Sequence, residues 1–211
     1  MKYANLSDQL NEKSIAKRDK VYDVGINDAD YQISKLANGE NLRCPYYQRW
    51  QNMLERSFSK SYKKKYPSYT KTSCCEEWIY FSNFKKWMES KKWKNMELDK
   101  DILVKDNNLY SPDTCIFAPP ELNKLAAVHR KNGSTLPGVS VTKNGDFRAR
   151  TKTPTGTINL GRYKTLERAA TAWLDYHKDK LRKAAKTYAW VHPDMKYRLL
   201  EIADDLSIET I

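Results

Sequence analysis

Between residues 44 and 90 the apolar positions recur at intervals of three and four, whereas from 139 to 160 they fall on every second residue. The first texture predicts helices and the second predicts strands. In the first block Pro45 suits the opening turn of a helix, with Tyr46, Trp50, Met53 and Leu54 on one face. A second helix is predicted from Glu76 to Glu89, carrying Trp78, Phe81, Phe84, Trp87 and Met88. Ser59 to Lys71, between them, reads as a basic loop with Lys60, Lys63, Lys64 and Lys65 among Tyr62, Tyr66 and Tyr69. Large rings dominate burial in small domains, so the helical aromatics are expected in a core. The lysines read equally as a solvated face or as contacts to a nucleic-acid backbone.

In the second block Val139 and Val141 alternate with Ser140 and Thr142, and Phe147 and Ala149 with Arg148, Arg150 and Lys152. In a third run Ile158 and Leu160 alternate with Thr157 and Asn159. Asn144-Gly145 is a hairpin signal. Side chains on a strand point alternately to opposite faces, so one face is small and apolar while the other carries cations and hydrogen-bonding groups. The next segment can cover the apolar face: Thr165 suits a helix cap, Glu167 suits its N-terminal end, and Ala169, Ala172, Trp173 and Tyr176 form a stripe. The other face is then a cationic surface of roughly major-groove width, or a solvated one.

The polar stretch His129 to Pro137 divides the two blocks. The expected organisation is an N-terminal extension over 1–43 with a short helix at Ser7–Asp19, an aromatic domain over 44–127, a sheet module over 136–190 and a C-terminal helix within 191–211. In that last segment Leu199, Leu200, Ile202 and Leu206 form an apolar edge.

Composition narrows the partners. The chain of 211 residues has 38 Lys+Arg against 26 Asp+Glu, a formal net charge of +12, and a pI near 9.4. A field of that sign attracts polyanions through phosphate contacts and counterion release. A mean hydropathy of −0.83 and no long apolar run predict no membrane span, and the polar start predicts no secretory signal. An intracellular protein is the expectation. Cys44, Cys74, Cys75 and Cys115 lack the close pairing of a zinc ribbon, so they read as reduced thiols and not as a zinc site.

Gly138-Val139, Phe147 with Ala149, Leu160-Gly161-Arg162-Tyr163, Thr165 and Ala169-Ala170 resemble the DNA-binding domain of the plant Apetala/ethylene-response-factor class, which has relatives in mobile elements. The resemblance implies a three-stranded antiparallel sheet packed on one helix, with the sheet reading the major groove of double-stranded DNA. Carried over by position, the implied contacts are Ser140, Thr142, Arg148, Arg150, Lys152 and Asn159. The plant domains have arginines at the positions of Ser140 and Thr142 and tryptophan at that of Asn159, which implies looser sequence reading here.

Trp50…Met53-Leu54-Glu-Arg56, Cys75-Glu-Glu-Trp78…Phe81…Phe84-Lys-Lys-Trp87, Leu98-Asp-Lys-Asp-Ile-Leu103 and Tyr110-Ser-Pro-Asp-Thr-Cys115…Asn123 resemble a phage-borne family related to HNH endonucleases, whose members often carry the Apetala-type module C-terminally. The implied core is ββα around one divalent metal, with a first-strand histidine as general base. The corresponding triplet here is Asp99-Lys100-Asp101, with lysine in place of that histidine. Asp99, Asp101 and Asp113 are the implied metal candidates, Asn123 a further one, and Mg²⁺ the implied ion of an active nuclease. The alternative is that these carboxylates are hairpin or cap groups.

The expectation is therefore an α+β chain: an aromatic-rich helical, HNH-like ββα domain followed by a three-stranded antiparallel sheet packed on a helix. The leading functional reading is a duplex-DNA-binding protein on a degenerate HNH scaffold. The alternatives are an active metal-dependent homing or nicking endonuclease, and a non-enzymatic phage factor for structured RNA, the ribosome or an acidic host protein.

Overall fold

A computed structural model describes residues 18–37, 39–127, 136–153 and 155–210. It is a mixed α+β structure that divides into two compact units, 1–118 and 119–211. Most of the expected helix at Ser7–Asp19 and most of the polar divider, including His129, lie outside the described residues.

The first unit contains a hairpin of β1 (Ser34–Ala37) and β2 (Glu40–Arg43), then α1 (Pro45–Phe58), α2 (Lys60–Lys65), β3 (Ser73–Cys74) and α3 (Phe81–Glu89). Three short strands follow: β4 (Glu97–Asp99), β5 (Leu109–Tyr110) and β6 (Ile116–Ala118). β4 pairs antiparallel with β6, and β5 pairs parallel with β3. Pro45 opens α1, and Tyr47, Trp50, Met53, Leu54 and Ser57 are its buried positions. Tyr47 takes the place expected for Tyr46, which is half-buried against Trp93. Trp50, Met53, Leu54 and Phe84 are sealed from solvent, and the Trp50 indole donates to the Trp78 carbonyl at 2.7 Å. Residues upstream of α1 also enter this core through Ala29, Tyr31 and Ile33.

Two predicted elements differ. The helix expected over 76–89 is interrupted: Glu76–Ile79 is a 3₁₀ turn, Tyr80 is extended, and α3 starts at Phe81. The cause is a distant segment. Ile26 N–H donates to the Ile79 carbonyl at 2.8 Å and Phe81 N–H to the Ile26 carbonyl at 3.0 Å, which pulls Tyr80 out of helical geometry. The Asp28 carboxylate then satisfies the first turn of α3, accepting from Ser82 N–H at 2.8 Å. The stretch expected as a basic loop instead forms α2, because Ser59 Oγ accepts from Tyr62 N–H at 3.2 Å and caps it.

The second unit comprises α4 (Pro120–Ala126), β7 (Val139–Val141), β8 (Phe147–Thr153), β9 (Gly156–Tyr163), α5 (Leu166–Thr187) and α6 (Met195–Asp205). The strands form one antiparallel sheet in the order β7-β8-β9. In the first hairpin Gly145 N–H donates to the Thr142 carbonyl at 3.0 Å and Thr142 N–H to the Asp146 carbonyl at 2.7 Å. Only Gly145 has positive φ (+79°), so the turn is a type I turn closed by a left-handed glycine. Thr165 Oγ1 caps α5 by accepting from Arg168 N–H at 3.3 Å. Of the predicted stripe on α5, Ala169 and Trp173 are buried while Ala172 and Tyr176 are half-buried; the buried surface extends instead to Ala170, Leu174, His177, Leu181, Ala184 and Ala185. It packs against both the sheet and α6, whose Met195, Leu199, Ile202 and Ala203 are buried.

Candidate nucleic-acid interface

Strand register sets which side chains share a face, because residues directly opposite one another point the same way. Val139, Ala149 and Gly161 form one cross-strand row, and Ala149 is fully buried. The adjacent row is Ser140, Arg148 and Arg162, on the opposite face. Beyond it the register shifts between Ala149 and Arg150, so that Leu160 becomes an extra residue on β9. This bulge brings Asn159 opposite Arg150 and Thr157 opposite Lys152. Without it, Asn159 and Thr157 would fall on the covered side. Gly161 makes the bulge feasible: its φ is +134°, and a Cβ there would stand 2.8 Å from the Tyr163 hydroxyl, which itself donates to the Leu160 carbonyl at 2.9 Å.

The outer face therefore gathers Ser140, Arg148, Arg150, Lys152 and Asn159, as the alternation predicts, with Arg150, Lys152 and Asn159 exposed. Thr142 follows the end of β7, where its backbone closes the turn. Arg162 is a further member that alternation alone did not single out; its placement opposite Arg148 follows from the paired register. Among the described residues none of these four cations has a carboxylate partner. Asp146, the sole acidic residue between 136 and 166, pairs with Lys164 at 2.9 Å. Arg148 and Arg162 thus face each other as an uncompensated like-charged pair, an arrangement that costs stability in water. Arg150 and Lys152 also border a groove of about 870 Å³ in the same unit, lined too by Lys124, Lys180 and the carboxylate of Glu121.

The nuclease-like residues are arranged differently. β4 ends at Asp99, so Lys100 and Asp101 lie in the turn after the strand, not within it. Asp99 Oδ1 accepts from Asp101 N–H at 2.8 Å and from Ile102 N–H at 2.7 Å, holding that turn. The buried Lys100 ammonium donates to Asp101 Oδ1 at 2.5 Å and to the Asn107 carbonyl at 2.6 Å. Asn107 Nδ2 returns a bond to the Lys100 carbonyl at 2.6 Å. A general base must offer a lone pair, whereas this nitrogen is committed as a donor to two acceptors. Asp113 is exposed in a loop of the first unit, and Asn123 belongs to α4 of the second. Among the described residues no group of three or more His, Cys, Asp or Glu side chains is placed to hold a metal ion. The four cysteines are free thiols, and burial pushes Cys74 and Cys115 up to about 12, so both stay protonated near neutral pH.

No family model, no curated protein and no solved structure matches this chain.

Proposed function

We propose that the protein binds duplex DNA through the outer face of the β7-β8-β9 sheet. The observation that carries this reading is the array of Arg148, Arg150, Lys152 and Arg162, in register on one face, without acidic partners and with Arg148 opposed to Arg162. Opposite charges across strands stabilise a sheet and like charges destabilise it; here the repulsion between Arg148 and Arg162 is left for a polyanion to relieve. The B-form major groove, about 12 Å wide, admits such a ribbon, whereas the deep, narrow major groove of A-form RNA does not. Ser140, Asn159 and Thr157 supply donors and acceptors between the cations. The resemblance to Apetala-type domains points the same way. In this reading the first unit does not use Lys100 as a nuclease base, because its ammonium is held by Asp101 and Asn107.

Fluorescence anisotropy with labelled duplex tests the proposal. Wild-type affinity falls with salt, and each phosphate contact contributes about 0.9 to the log–log slope. Arg150→Ala with Lys152→Ala lowers affinity and shallows the slope by roughly 2, while the melting temperature is kept because both side chains are exposed. Under the same conditions with Mg²⁺, supercoiled plasmid stays intact. Salt-independent binding, or an unchanged slope in the double variant, removes the sheet from the interface. Chelator-sensitive nicking lost in Asp101→Ala would restore the endonuclease reading.

A further inference from the structure

Residues 59–71 of the first unit hold five lysines and three tyrosines and no acidic residue. The capped helix α2 and the 3₁₀ turn Pro67–Tyr69 fold them into a compact ring cluster. The Tyr62 ring lies 4.6 Å from Tyr66 and 5.5 Å from Tyr69, centroid to centroid. None of the three belongs to the hydrophobic core of this unit, and Tyr66 is 40% exposed. Lys63 is tied down, donating to the Thr72 carbonyl at 2.9 Å. Lys60, Lys64 and Lys65 are exposed and, among the described residues, have no ion-pair partner; Lys65 lies 5.2 Å from the Tyr66 centroid. Beside the rings Arg56 is half-buried, and its guanidinium makes one long bond, 3.5 Å, to the Tyr110 hydroxyl.

A solvated face accounts for lysines but not for a tyrosine cluster outside the core. One exposed ring, Tyr66, backed by the half-buried Tyr62 and Tyr69 and flanked by unpaired cations, suits a strand whose bases are free to stack while its phosphates meet ammonium groups. A duplex keeps its bases stacked inside, so it would use the cations and leave the rings idle. We infer that residues 59–71 form a second nucleic-acid site, one that binds single-stranded DNA with little sequence preference, a base stacking on Tyr66 and phosphates contacting Lys60, Lys64 and Lys65. The inference uses other residues in the other unit and does not depend on the sheet reading.

The test uses the full chain and a fluorescein-labelled oligothymidylate of roughly 12 nucleotides. Wild type binds it; Tyr66→Ala weakens binding at least about fivefold, and Lys60→Glu, Lys64→Glu and Lys65→Glu together remove it at the same salt. Arg150→Ala with Lys152→Ala, which lowers duplex affinity, leaves oligothymidylate affinity unchanged. A 5-iodouracil oligonucleotide crosslinks, after illumination, to Tyr62 or Tyr66 in peptides mapped by mass spectrometry. Absence of wild-type binding overturns the inference. So does retention of binding in both the tyrosine and the lysine variants, or crosslinking confined to residues 139–163. Duplex binding measured in parallel shows which of the two sites has failed.

Discussion

At Gly138 the backbone takes φ +70°, and a methyl group added there would stand 2.1 Å from the Trp173 indole and 2.5 Å from the Arg150 carbonyl. The left-handed conformation alone costs a non-glycine residue roughly 1–3 kcal/mol, and the overlap with a 5%-exposed tryptophan adds to it. Gly138→Ala is therefore expected to lower the melting temperature of the second unit by roughly 5 °C or more, read by calorimetry. Gly145→Ala meets no atom within 4 Å and shares only the φ penalty, so it is the milder change. Lys100 illustrates the same dependence on surroundings. Sequence placed it at the position of a base, and the turn around Asp99 and Asn107 makes it a hydrogen-bond donor instead.

At the scale of elements, what sequence revealed depended on whether the determining contacts were local. The alternation from Val139 to Leu160, the Gly145 turn and the Thr165 cap are short-range signals, and they predict the sheet, its faces and the start of α5. The Leu160 bulge was not visible, because alternation describes one strand whereas a bulge is a mismatch between two. Nor was the break at Tyr80, which is imposed by Ile26 more than fifty positions upstream. The second buried side of α5 required knowing that α6 packs there, and the predicted stripe also omitted the buried His177. His177 stacks on Trp173 at 4.9 Å, and its Nε2–H donates to the Leu125 carbonyl at 3.1 Å. Burial pushes its pKa below the ordinary value, the Leu125 bond opposes this in part, and nearby Lys180 adds to the lowering. The unfolded chain then binds a proton that the folded unit refuses, so stability is full above about pH 6.5 and declines as pH falls toward the lowered folded value. Thermal melts from pH 7.5 to 5 should show that loss, and His177→Gln should flatten it. An equal slope in both proteins would assign the pH dependence elsewhere.

At the scale of the whole chain, two differently built cationic surfaces stand out within the net charge of +12. On the second unit, the bulged register holds Arg148, Arg150, Lys152 and Arg162 on one face of the sheet, the array we propose for the phosphates and base edges of a duplex groove. On the first, α2 sets lysines around clustered tyrosines, the array we infer for splayed bases. The two proposed sites, if both bind, would change the affinity for any DNA that presents both forms. Once one such site is occupied, the other would meet its ligand at a raised effective concentration, and avidity can exceed either affinity by about 10²–10⁴. A duplex bearing a single-stranded tail should therefore bind more tightly than a blunt duplex or a single strand of equal length, at equal salt. Lys60→Glu, Lys64→Glu and Lys65→Glu together should bring the tailed duplex down to the affinity of the blunt one. Arg150→Ala with Lys152→Ala should bring it toward the affinity of the single strand. If tailed and blunt duplexes bind wild type equally, the two surfaces do not engage one DNA molecule together, and each acts on its own substrate.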